Sequence, residues 1–257
     1  MIVTVNGHDL ELRLSDNSSA RALTDLAGED GLELTMEDYG GFEKVGGLHV
    51  DQEQGITYVQ HLWPTHDDVV ADFADDSEFG NFEFPPVVHA ALQNPKVGEF
   101  QMLSIAHGTI EDGRSYMPGF APADGRGYSI EVLGPVVEED SNGDLRLRKI
   151  DTYGKTKNGH SVLLRLQYGQ FSILFGGDLN APAERFLMRH YTGQDRLPTG
   201  PGPTYDAFVA KARERFRSEV MKTCHHGATD VTDLFLDAVN PACFIISSGD
   251  QETHVHP

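Results

Sequence analysis

Cysteine is scarce in this chain, which has two, Cys224 and Cys243. They are not spaced as a metal knuckle, and both sit in or beside apolar runs. Neither a disulfide framework nor a cysteine-based zinc site is expected; two reduced, buried thiols are. Basic residues are also few: 20 Lys and Arg stand against 40 Asp and Glu, a net charge of −20. That balance argues against a broad phosphate-binding surface and against bulk binding of nucleic acid. It still permits a small-molecule or phosphoester substrate to reach a metal. No apolar run approaches membrane-spanning length, and the N-terminus lacks a basic-then-apolar signal. A soluble, cytoplasmic protein with no membrane partner is therefore expected. Internal repeats and low-complexity tracts are missing too, which argues against a solenoid.

What is present is a globular composition, 39% hydrophobic and 23% charged over 257 residues, enough for one large domain or two small ones. The chain is organised around Phe171 to Asn180. A mostly apolar run there ends in Gly176-Gly177-Asp178, which puts a carboxylate at a strand's end. Before it, Val162, Leu164, Leu166 and Tyr168 alternate with Arg165 and Gln167. Gly169-Gln170 suits a two-residue turn, so a hairpin delivers Asp178. Two later stretches also follow short apolar runs: Cys224-His225-His226-Gly227 and His254-Val255-His256-Pro257. If all three meet at one sheet edge, carboxylate oxygen and imidazole nitrogen form a donor set for zinc, manganese or iron. Each feature has a plainer reading. Asp178 can cap the helix that follows, His225-His226-Gly227 can be a turn, and His254 and His256 can be solvated. His61, His66, Asp67 and Asp68 read as an acidic surface loop.

Around this centre the pattern alternates between strands and helices. Asn6-Gly7 between Ile2–Val5 and Leu10–Leu14 signals a hairpin. Strands are expected at residues 55–59, 100–105, 128–133, 219–224 and 243–247. Helices are expected over 87–93, from Pro182 to about Tyr191, from about Thr204 to Arg217, and through Leu234, Phe235 and Ala238 behind a cap at Thr229 or Asp230. Gly108 to Gly127 reads as a long loop.

Residues 1–48 resemble the start of the bacterial cyclophilin-like domains, small β-barrels. The words that carry the likeness run from Val3-Thr4-Val5-Asn6-Gly7 through Leu32-Glu33-Leu34 to Gly46-Gly47-Leu48. From about Phe100 the chain resembles the metallo-β-lactamase superfamily, in particular its ComEC-type branch. The matching words are Ile130–Pro135, Asn158–Leu166, Phe175-Gly176-Gly177-Asp178, Lys222–Gly227, Asn240-Pro241 and Ser247–Pro257. The resemblance implies an α/β fold over residues 49–257, the second half of an αββα sandwich, behind a short hairpin, helix and strand of cyclophilin-like type.

It also implies a metal-dependent hydrolase. Asp178 would bridge two divalent metals, zinc or manganese. One of His225 and His226 would be a terminal ligand, His256 would lie close by, and His226 would serve as a neighbouring proton donor. The superfamily's His-x-His-x-Asp-His box is absent from the chain. The hydrolase is therefore expected to be an incomplete or inactive remnant. The alternative is a non-catalytic interaction module. A half sandwich would leave one sheet face uncovered, open to self-association.

Overall fold

The structure is a computed structural model that describes residues 2–5, 8–11, 50–53, 56–59, 65–74 and 84–247. The chain divides into two compact units, residues 1–40 and 41–257. In the first, strands β1 (Ile2–Val5) and β2 (His8–Glu11) pair antiparallel. Val5 faces His8 across a two-residue connection, the register expected for an Asn-Gly hairpin.

The second unit is a mixed α/β body. Its larger sheet has seven strands, β5 (Thr109–Glu111), β6 (Arg114–Tyr116), β7 (Ser129–Gly134), β10 (Leu163–Tyr168), β11 (Phe171–Phe175), β12 (Val220–Lys222) and β13 (Cys243–Ile245). Their spatial order is β13-β12-β11-β10-β7-β6-β5. Pairing is antiparallel from β5 to β11 and parallel from β11 to β13. A smaller sheet joins β3 (Val50–Glu53), β4 (Ile56–Val59), β9 (Leu145–Arg148) and β8 (Glu138–Glu139) in that order. Helices α1 (His66–Phe73), α2 (Phe84–Leu92) and α3 (Tyr153–Gly159) are short. Three others, α4 (Ala181–Thr192), α5 (Pro203–Phe216) and α6 (Asp233–Val239), carry the core. Among the described residues, no helix is long and apolar enough to cross a membrane.

The register assigns the two faces of the large sheet, because directly paired residues point the same way. Arg165 pairs with Leu174 and Gln167 with Ser172, so these four share a face. Leu174 and Met221 pair and are buried with Leu163, Leu133, Phe208, Phe216 and Phe235. The Phe216 ring meets Tyr191 and Phe235 edge-on at 5.2 and 5.4 Å. This face is therefore the one that α4, α5 and α6 cover. On the other face Tyr168 pairs with Phe171, and Phe175 with Leu164 and Lys222. Tyr168, Phe171, Phe175 and Ile245 there are 63, 42, 39 and 49% exposed.

Several expectations are corrected. Residues 100–104 form no strand: the Ser104 hydroxyl accepts from the backbone N–H groups of Ala106 and His107, and that local turn competes with sheet pairing. The expected loop 108–127 contains the β5–β6 hairpin. Its Asp112-Gly113 turn has φ of 49° and 70°, the left-handed pair that Asp-Gly adopts most readily. The acidic segment at His66 is helical rather than a loop. Thr65 caps it, Asp68 closes the capping box, and the carboxylates of Asp67 and Asp68 favour a helix N-terminus. His66 Nδ1 accepts from the Phe100 N–H at 3.0 Å. Helix α6 is capped by Thr232, not Thr229 or Asp230. Cys224 is buried as expected, but Cys243 is exposed on the edge strand.

Candidate functional site

Strand β11 stops because its next residues cannot carry side chains. A Cβ on Gly176 would sit 2.5 Å from Cys224 Sγ. Gly177 has φ of +54°, and a Cβ there would lie 2.7 Å from Ser161 Cβ. The chain turns sharply and the Asp178 N–H donates to Ser161 Oγ at 3.0 Å. The capping reading of Asp178 does not hold: α4 is capped by Asn180, whose side chain accepts from the Ala183 N–H and donates to the Lys155 carbonyl. The Asp178 carboxylate is thus left for other partners.

The second element follows β12. Residues Cys224–Gly227 form a tight 3-10 turn in which His225 and His226 have φ, ψ of 44°, 49° and 56°, 20°. Two successive left-handed non-glycine residues are unusual, and each costs about 1–3 kcal/mol. The neighbourhood enforces them. The His225 N–H donates to the Gly177 carbonyl at 2.9 Å, and the Thr223 N–H to Ile245. Lys222 Nζ also reaches the Gly177 carbonyl, at 3.5 Å.

These contacts bring His226 to Asp178, with Nε2 3.4 Å from Oδ1. The imidazole's other nitrogen, Nδ1, lies 2.7 Å from the Ser247 carbonyl. A carbonyl only accepts, so Nδ1 carries a proton and donates it. Nε2 then faces the carboxylate either as a second N–H, making an imidazolium–carboxylate pair, or as a lone pair. Two acceptors at that distance repel unless a proton or another cation lies between them. Both side chains are accessible, His226 47% and Asp178 30% exposed. The bare ion pair therefore contributes only about 0–1 kcal/mol.

Behind this edge lies an acid in the first turn of α4 that was not among the residues singled out from sequence. Glu184 is fully buried, and its Oε2 accepts from the Thr232 N–H and hydroxyl at 2.7 and 2.8 Å. It ties the start of α4, just after Asp178, to the cap of α6, just after the His-His turn. Burial pushes its pKa up to about 7, against the lowering effect of the two Thr232 hydrogen bonds. Burial also raises the Cys224 thiol, with Glu184 adding to it, so that sulfur stays protonated. The one signal for Glu184 in the sequence was its place in an otherwise apolar helix face.

Of the residues singled out from sequence, the structure brings together Asp178 and His226 and hydrogen-bonds the His225 backbone beside them. His61, His254 and His256 lie outside the described residues. Among the described residues, no group of three or more His, Cys, Asp or Glu side chains is arranged to hold a metal ion. The model of the cyclophilin-like family matches residues 3–55, so the chain is similar to that family over the stretch that includes β1 and β2. No curated protein matches the chain.

Proposed function

We propose that residues 49–257 form the C-terminal half of an αββα metallo-β-lactamase sandwich of the ComEC type, and that its sheet edge carries half of a hydrolytic metal centre. The observation that carries this reading is the Asp178–His226 juxtaposition: a carboxylate facing Nε2 of an imidazole whose Nδ1–H is committed to a backbone carbonyl. That is how a metal-ligating histidine is held in its tautomer. The donor chemistry fits zinc, with manganese as the second candidate. Asp178, one of His225 and His226, and His256 would hold it. When bound, such a group supplies an acidified water for attack on an ester or phosphoester. As the ligand, His226 would present its Nε2 lone pair, oriented through Ser247; where His225 is the ligand instead, His226 would hold or release a proton at Nε2. The reading is of a cytoplasmic protein whose thiols remain reduced.

Because the chain has no His-x-His-x-Asp-His box, weak binding of a single zinc and no appreciable turnover are expected. Zinc calorimetry and hydrolysis of bis(p-nitrophenyl) phosphate check this. Asp178→Ala and His226→Ala should each weaken zinc by roughly 10–100-fold. Unchanged affinity in Asp178→Ala would remove the assignment. Tight stoichiometric zinc with turnover would show that the chain supplies a complete ligand set.

A second reading, a non-catalytic module, is favoured by the partly exposed second face of the large sheet. Tyr168, Phe171, Phe175 and Ile245 present exposed apolar surface there. Self-association through this face must overcome a net charge of −20 per chain. A dimer fraction that grows with salt, as repulsion is screened, is expected in light scattering. Phe175→Asp should restore the monomer. A monomer at every salt and protein concentration would dismiss this second reading.

A further inference from the structure

The outward side of α4 presents Pro182, Arg185, Phe186 and Arg189 at helical spacing, one above another. Opposite them runs Arg148 to Asp151, the end of β9 and the link to α3. Between the two lies a cavity of about 430 Å³, lined by those eight residues. Two of the charges around it are already balanced. The Arg148 guanidinium donates to both Glu138 oxygens, at 2.7 and 2.9 Å, and lies 5.3 Å over the Phe186 ring. Asp151 pairs with Lys155 at 3.4 Å. Lys149, Arg185 and Arg189 make no ion pair among the described residues.

Three unbalanced cations around one cavity are unexpected here. The chain has twice as many acids as bases, so a surface cation has ample partners to choose from. Arg185 and Arg189 stand one turn apart on the same helix, a like-charge spacing that is disfavoured unless something answers it. We infer that this cavity is an anion site that takes a small phosphate-bearing molecule. A phosphomonoester carries a charge of about −1.5 to −2 at neutral pH, which the three cations balance where a carboxylate would not. Guanidinium forks grip phosphate oxygens in pairs, and Lys149 adds a point charge. Pro182, Ile150 and the Phe186 ring provide an apolar wall for the organic remainder. The volume lies within the roughly 300–1,000 Å³ of small-molecule pockets. A nucleic-acid backbone is a poor candidate, since the rest of the chain repels it.

The test is calorimetry on the full chain with three probes: inorganic phosphate, phenylphosphonate and acetate. Phosphate should bind saturably with an affinity that falls with salt. Phenylphosphonate should bind more tightly through the apolar wall, and acetate most weakly. Arg185→Gln and Arg189→Gln should each weaken phosphate roughly 10-fold, the loss of one charge-assisted contact. Arg196→Gln, which removes the same charge from an exposed position elsewhere, should change nothing. The melting temperature without ligand should not fall in any of the three variants, because the substituted side chains are exposed and loss of Arg185 or Arg189 only relieves their mutual repulsion. Absence of saturable phosphate and phenylphosphonate binding would overturn the proposal. So would wild-type affinity in an Arg185→Gln/Arg189→Gln double variant, and equal affinity for acetate would overturn the assignment to phosphate.

Discussion

Glu131→Ala is expected to lower the unfolding free energy by about 3–5 kcal/mol. The Glu131 side chain is 4% exposed and lies under three guanidiniums. Arg114 approaches it at 3.1 Å, Arg215 at 3.2 Å and Arg165 at 3.9 Å. Desolvation already disfavours the charged form of Arg165, and Glu131 is the first compensating charge. Without it, three cations face one another with little water between them. Arg215 also lies 5.0 Å over the Tyr191 ring, which fixes the end of α5 against α4. Arg114 is the more solvated partner, 37% exposed, so Arg114→Ala should cost no more than about 1 kcal/mol. Urea melts separate the two, because urea leaves ionic strength unchanged. If Glu131→Ala proved as mild as Arg114→Ala, the carboxylate would not be the keystone of this network.

The sequence made part of this legible. The alternation of Leu164, Leu166 and Tyr168 and the Gly169-Gln170 turn give the β10–β11 hairpin its register directly, and Gly176-Gly177 announces a turn that only glycine fits. Period and turn chemistry are local, so they survive without a structure. Glu131 and Glu184 were not legible as buried charges, because what neutralises them is remote: Arg215 is 84 positions away from Glu131 and Thr232 is 48 from Glu184. Ser161, which receives the Asp178 N–H, is likewise fixed by tertiary approach rather than by pattern. The misplaced strand at residues 100–105 has a local cause that was available, a serine able to bond its own backbone. The missed Asp112-Gly113 hairpin had a strong signal hidden among other glycines.

A second large effect is tied to pH. The Glu184 pKa is raised from 4.5 to about 7 in the folded state, first of all by burial. Between those values the folded chain holds a proton that the unfolded chain has released. The stabilising contribution is therefore full below pH 4.5 and is lost as pH rises through 7. Relative to Glu184→Gln, the wild type should lose about 3 kcal/mol of unfolding free energy between pH 4.5 and 8. The glutamine carbonyl can still accept from the Thr232 N–H and hydroxyl, so the link between α4 and α6 is retained. Glu184→Gln should then be the more stable protein at pH 8. Denaturation of both proteins across this range gives the difference directly; parallel curves would mean that Glu184 does not change its protonation.

The anchor of His226 has one further consequence. Its Nδ1–H is received by Ser247, just past β13, and β13 is the terminal strand of the sheet among the described residues, with all three of its residues exposed. Edge strands with little buried surface are where a fold opens first, well below its global unfolding energy. Each fraying event at that margin frees the imidazole to rotate away from Asp178. The histidine's aim is thus rented from the least protected strand of the sheet, and whatever caps or prolongs that margin governs how long the pair stays in register.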